Sequence, residues 1–151
     1  MIEAPLLSIL QEIVRRESRS LLQYIHDSYP WTPSAERTAL TQIRDLAKQQ
    51  QESAADLARW LERKRHFMPY LGSYPSAFTT INYVSLDYVI PKVIADERIG
   101  LAHLNADLAV LCDTEAHALV EAIASKKRAH LKILEELAAA HPVKTVSSRA
   151  S

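Results

Sequence analysis

A single cysteine, Cys112, stands among 151 residues. One thiol can form neither an intrachain disulfide nor a cysteine-based zinc site. Glycine is almost as scarce, with two in the chain. That is too few for an enzyme built from tight loops, and no Gly-rich phosphate cradle is present. Neither sign of charge is in excess, since 18 Lys and Arg face 18 Asp and Glu. A chain of zero formal charge has no global field to draw it to nucleic acid or to an anionic membrane, and neither partner is expected. No apolar run approaches the ~20 residues a membrane helix needs, and no basic-then-apolar leader opens the chain. The expectation is a soluble, cytoplasmic protein. Runs of β-branched and aromatic residues with period two are also missing, which argues against a sheet.

What is present is 48% apolar residues in a background rich in Ala, Leu, Glu, Lys, Gln and Arg. That composition reads as all-α, and the length suits one domain with a proper core. A first helix is expected from about Pro5 to Ser28, with the stripe Leu6, Leu10, Ile13, Glu17, Ser20 and Tyr24, widened by Leu21 and Ile25. Tyr29-Pro30-Trp31 ends it, and Thr32 and Pro33 are a good N-cap and first helical residue. The second helix, to about Lys64, carries Ala39, Ile43, Leu46, Gln50, Ser53, Leu57 and Trp60. A connection this short makes the pair antiparallel. The closing run Arg63, Lys64, Arg65, His66 is read as cations at the negative end of a helix dipole.

From His66 to Ala77, Pro69, Gly72 and Pro75 exclude helix. The interleaved Phe67, Tyr70 and Tyr74 are expected to pin this crossing to the bundle surface. Its twelve residues can extend ~40 Å, the length of a 27-residue helix, so the third helix can run parallel to the second. That helix is expected from about Thr80 to Leu111, with a kink or a short leading helix at Pro91. Asp113 or Thr114 caps the last helix after a tight turn, and it stops before Pro142. Residues 1–141 form the domain and 142–151 a flexible tail.

The third helix carries Ile90, Ile94, Glu97, Leu101, Leu104, Leu108 and Leu111, and the last Ala116, Val120, Ile123, Leu134 and Leu137. Each of the four stripes is interrupted near its middle by polar residues: Glu17; Gln50 with Ser53; Glu97; Lys127 with His130. In helices of similar length and register, these six side chains share one level of one core. A buried Lys needs a partner charge, so Lys127 is expected to bridge Glu17 and Glu97, with Gln50, Ser53 and His130 completing the hydrogen bonds. His26, His103, His117 and His141 lie off the stripes and read as surface residues. Trp31 and Trp60 read as bundle-end packing, and Tyr24 as core. Flanking Leu7, Ile9, Val14, Leu22 and Val110 widen several faces and suggest a further interface.

The pattern of one short loop, one long crossing and one short loop resembles ferritin-like carboxylate bundles. The run IADERIGLAHLNADLAVLCDTEAHALVEAIASKKRAHLKILEEL is similar to the second half of a rubrerythrin or bacterioferritin-type domain, and LAKQQQESAADLARWL to its second helix. The resemblance covers about Leu6 to Leu137. It implies a ferritin-like four-helix bundle of two antiparallel hairpins joined by a long crossover, with a degenerate di-iron site. Glu17 then matches the first-helix ligand, and Gln50 and Ser53 stand where Glu and His belong. Lys127 replaces the Glu of the last Glu-x-x-His, leaving His130. Either Glu97 or Ile94 matches the third-helix ligand.

Two carboxylates facing one ammonium make a layer close to neutral without added cations. The function expected is therefore non-catalytic, a structural or interaction protein without cofactor and a homo-oligomer, most simply a dimer, whose protein partner the sequence does not name. The alternative is a metal-binding protein or oxidoreductase holding one Fe or Mn on Glu17, Glu97 and His130.

Overall fold

The computed structural model describes residues 4–28, 36–81 and 85–142. Among them the chain is all-helical, with no strand. Five α-helices occur in this order: α1 (Ala4–Ser18), α2 (Leu21–Ser28), α3 (Arg37–Arg63), α4 (Leu86–Val110) and α5 (Thr114–Ala140), with a 3-10 helix at Ser76–Ile81. No helix in these residues is long and apolar enough to cross a membrane. The turn expected at Tyr29–Pro33, with Trp31, and the tail after Pro142 lie outside the described residues.

The helix expected from Pro5 to Ser28 is two helices, and local capping chemistry explains the break. Ser20 Oγ accepts from Gln23 N at 3.3 Å, the N-cap half of a Ser-x-x-Gln capping box. The Gln23 side chain does not complete the box and turns into the core instead. Asp96, on the face of α4 that reads as surface, accepts from Leu21 N at 2.9 Å and so holds a second open donor of α2. The apolar stripe continues in phase across the break, so periodicity alone does not reveal it.

The end of α3 is a Schellman motif. Arg65 N donates to Glu62 O at 2.8 Å and His66 N to Leu61 O at 3.0 Å, the two bonds that define it. Arg65 takes φ 62°, a left-handed conformation for which glycine is the relaxed residue. At the start of α5 Asp113 is the N-cap, accepting from Ala116 N at 3.0 Å. The third long helix begins at Leu86 rather than near Thr80, the 3-10 helix lying upstream. Pro91 lies inside it and denies Asp87 the usual carbonyl partner.

Helix α1 packs on α3 and α4, α2 on α3 and α4, and α5 on α3 and α4. The apolar core is divided into two clusters. One joins Leu22 and Ile25 of α2, Ile43 early in α3, Leu86 and Ile90 early in α4, and Leu134 late in α5. The other joins Leu10 and Ile13 of α1, Leu57 and Leu61 late in α3, Leu104 late in α4, and Val120 early in α5. These groupings set the chain directions: α3 runs against α1 and α2 but along α4, and α5 runs against α4. The polar stripe residues lie between the clusters.

The crossing is pinned less by its aromatics than expected. Gln11 Nε2 donates to Phe67 O at 2.8 Å and Arg19 Nε to Gly72 O at 2.9 Å. Gly72 has φ +71°, so glycine relieves strain there. Tyr74 and Phe78 do pack on Tyr24, with ring centroids 5.2 and 5.8 Å away. Phe67 and Tyr70, however, are 89% and 91% exposed. The main chain is held at Phe67 and Gly72, and the Phe67 and Tyr70 rings face solvent. Val14 and Leu22, which suggest an outer interface in the sequence, are instead buried in the core, whereas Val110 is exposed. Trp60 is buried at the end of α3 and donates from Nε1 to Glu115 Oε2 at 2.9 Å, joining α3 to α5.

Candidate functional site

Three long-range facts place Lys127. It sits on the buried face of α5, between Ala124 and His130. Glu17 reaches in from the last turn of α1, and Glu97 from the middle of α4. Lys127 Nζ lies 3.1 Å from Glu17 Oε1 and 3.0 Å from Glu97 Oε2, with Lys127 2% and Glu97 1% exposed. The bridge expected from the stripes is therefore present, in surroundings where an unpaired charge costs several kcal/mol.

Gln50 of α3 closes the cluster from the fourth side. Its Nε2 donates to Glu17 Oε1 at 3.4 Å and to both oxygens of Glu97 at 3.3 and 3.2 Å. Its Oε1 accepts from Ser20 Oγ at 2.8 Å and Gln23 Nε2 at 2.9 Å. Gln23 Nε2 also donates to Ala47 O at 2.6 Å. The amide can hold only one orientation, because reversing it would set a carbonyl against two carboxylates. A Glu at this position would bring a third negative charge to one ammonium.

Gln23 is a member of the layer that the stripes did not mark, and Ser20, though on the first-helix stripe, was not counted among its six residues. The signal that could have found them is the Ser-x-x-Gln spacing, which breaks the helix and turns both side chains toward α3. Ile94, the alternative to Glu97 in the resemblance, packs in the apolar cluster beside α2. The expectation for Ser53 and His130 is corrected. Ser53 Oγ donates back to Gln49 O at 3.1 Å within its own helix, the usual recourse of a mid-helix serine. His130 Nε2 meets Gln49 Oε1 at 3.0 Å and neither carboxylate. All six expected residues nevertheless surround one void of about 10 Å³, with Ile123 and Lys126. That is room for about one water molecule.

The charge states follow from these neighbours. Burial pushes Lys127 down, but Glu17 and Glu97 more than offset it, and its pKa is raised. The amine is held as ammonium and is not available as a nucleophile. Burial raises the Glu97 pKa, and the Glu17 charge adds to this, with Lys127 opposing. His130 is driven the other way, to about 4, by burial first and then by Lys127 and Lys126. The imidazole is neutral near pH 7. Gly100 of α4 makes space for the ammonium: a Cβ there would lie 3.3 Å from Lys127 Nζ.

Among the described residues no group of three or more His, Cys, Asp or Glu is gathered to hold a metal ion. No family model, no curated protein and no solved structure matches this chain.

Proposed function

We propose that this chain is a non-catalytic ferritin-like four-helix bundle whose di-metal site has been replaced by the Lys127 cluster, and that it acts as a structural or interaction protein. In this reading α1 with α2 forms the first helix of the bundle. The observation that carries the proposal is the ammonium of Lys127 within 3.1 Å of both carboxylates. Support for the bundle comes from the chain directions of the helices and the long crossing between α3 and α4. Both match the arrangement in which two hairpins are joined by one crossover.

The residues present do not fit Fe or Mn. A cation between Glu17 and Glu97 would have to displace an ammonium that already neutralises them. Gln50 offers N–H donors rather than lone pairs to that point, and His130 Nε2 is turned to Gln49. Neither a metal pair nor a single ion on Glu17, Glu97 and His130 suits this arrangement. The layer serves instead to fix helix register, since each member has a partner at only one relative height of the helices. Exposed Phe67 and Tyr70 supply apolar surface that a second copy or another protein would cover.

Elemental analysis of protein purified without chelator tests the site. The expected result is no stoichiometric iron or manganese, with metal affinity gained in a Lys127→Glu/Ser53→His double variant. Stoichiometric metal in the wild type that is lost in Glu17→Ala would overturn the proposal. Sedimentation velocity tests the assembly, with a dimer expected.

A further inference from the structure

A groove of about 760 Å³ opens between α1, the crossing and α4, and its floor reaches Lys127. That volume suits a small organic ligand. Its walls are polar and charged, and three of its cations, Arg15, Arg16 and Lys127, are paired with carboxylates. Every carboxylate on the wall already has a partner. Glu12 is paired with Arg15, and Asp96 accepts from Leu21 N. Glu17 and Glu97 belong to Lys127 and Gln50.

Arg19 is different. Its Nε and Nη1 donate to two main-chain carbonyls, Gly72 O at 2.9 Å and Ser18 O at 3.0 Å. Its guanidinium lies 5.1 Å from the centre of the Tyr74 ring. None of these partners is anionic. Asp27, the carboxylate whose field Arg19 reaches, has one oxygen taken by the Tyr74 hydroxyl at 2.5 Å and the other by His26 at 3.2 Å. Arg19 is thus a half-buried cation held by two main-chain carbonyls and the Tyr74 side chain, with Asp27 acting on it through that tyrosine rather than as an ion pair. With Nε and Nη1 donating to carbonyls, Nη2 is the guanidinium nitrogen left to meet an oxyanion. Ser73 and Ser76 from the crossing add hydroxyls to the same wall, and exposed His103 stands on the α4 side. Phe78 and Ile99 supply apolar surface.

We propose that this groove binds a small organic oxyanion, a carboxylate or phosphate carried on an aromatic or aliphatic body, with Arg19 as its anchor. The anion meets Arg19 Nη2 and the serine hydroxyls, and the body lies against Phe78 and Ile99. Lys127 is not a ligand group, because both its carboxylate partners hold it. The site is independent of whether the buried cluster descends from a metal centre.

Calorimetric titration of the full chain with phenyl phosphate, benzoate and inorganic phosphate tests the proposal. Phenyl phosphate or benzoate should bind with a Kd below about 10 mM, the stronger of the two showing which anion the site prefers, and inorganic phosphate should bind more weakly for want of a body. Arg19→Gln should weaken binding about tenfold or more. Ile99→Asp, at an exposed position that makes no core contact, should weaken it comparably and keeps the test decisive if Arg19→Gln does not fold. Absence of binding by both organic probes, or binding unchanged in the variants, would overturn the proposal. Metal content does not enter this readout, so its failure is separate from failure of the cluster reading.

Discussion

Lys127 and His130 lie one turn apart on the same face of α5, and both are buried. The first meets two carboxylates and is held charged, while the second meets the neutral amide of Gln49 and is held uncharged. Burial disfavours the charged form of both groups to begin with. What separates them is which helix each faces, because α1 and α4 deliver carboxylates and α3 delivers amides and a serine. The positive charge of Lys127 then helps to keep His130 neutral. A polar layer in a core can thus contain a charged half and a neutral half, each satisfied in its own way.

The sharpest way to break this comparison is Lys127→Met. It leaves Glu17 and Glu97 buried without their counter-charge, and should cost about 3–5 kcal/mol, measured by denaturant unfolding. A cost under about 1 kcal/mol, typical of an exposed pair, would show that the two halves do not differ. Adding Glu17→Gln and Glu97→Gln to Lys127→Met should restore much of the loss, since the charges are then removed together.

The two halves should also answer pH in opposite senses. The His130 pKa is about 4 in the folded chain against an ordinary 6.5. Between those values the unfolded chain binds more protons, so the contribution of His130 is full above pH 6.5 and lost as pH falls toward 4. The Glu97 pKa is raised from 4.5, so the folded chain binds the proton more readily. Its contribution is full below pH 4.5 and lost as pH rises through the folded value. Unfolding midpoints followed from pH 8 to 4 should lose acid sensitivity in His130→Gln and gain it in Glu97→Gln. Slopes that move together would contradict the division.

Smaller effects sharpen the picture. Gly100→Ala should gain about 1 kcal/mol of helix propensity in the Lys127→Met background and less in the wild type, where the new Cβ crowds a pinned ammonium. Equal gains would mean the ammonium moves aside freely. Arg65→Gly lies outside the layer and provides a reference. Relief of its left-handed strain should raise stability by about 1 kcal/mol, with no change in the pH slopes.

Much of this was legible in the sequence because a helix encodes its own buried face. The 3.6-residue spacing marked Glu17, Gln50, Ser53, Glu97, Lys127 and His130 as breaks at one level, and the six do surround one void. A cap at Asp113 or Thr114 was legible because a capping acceptor lies within three residues of the donor it serves, and the structure gives the role to Asp113. The break at Ser20 escaped because the apolar phase runs through it, and with it went the inward turn of Gln23. The exposure of Phe67 and Tyr70 escaped too, because hydrophobicity does not say whether a loop ring finds a surface to lie on.

The sequence by itself determined helical class, the buried face of each helix and the need for Lys127 to find a counter-charge, since all three follow from interactions within a few residues or from the cost of desolvating a charge. Only the tertiary structure decided that His130 goes to Gln49, that Gln23 joins the layer, and that Arg19 is held by the main chain of the crossing at the edge of a groove. Those outcomes depend on the rotation and relative height of helices distant in the chain, and local periodicity carries no record of either.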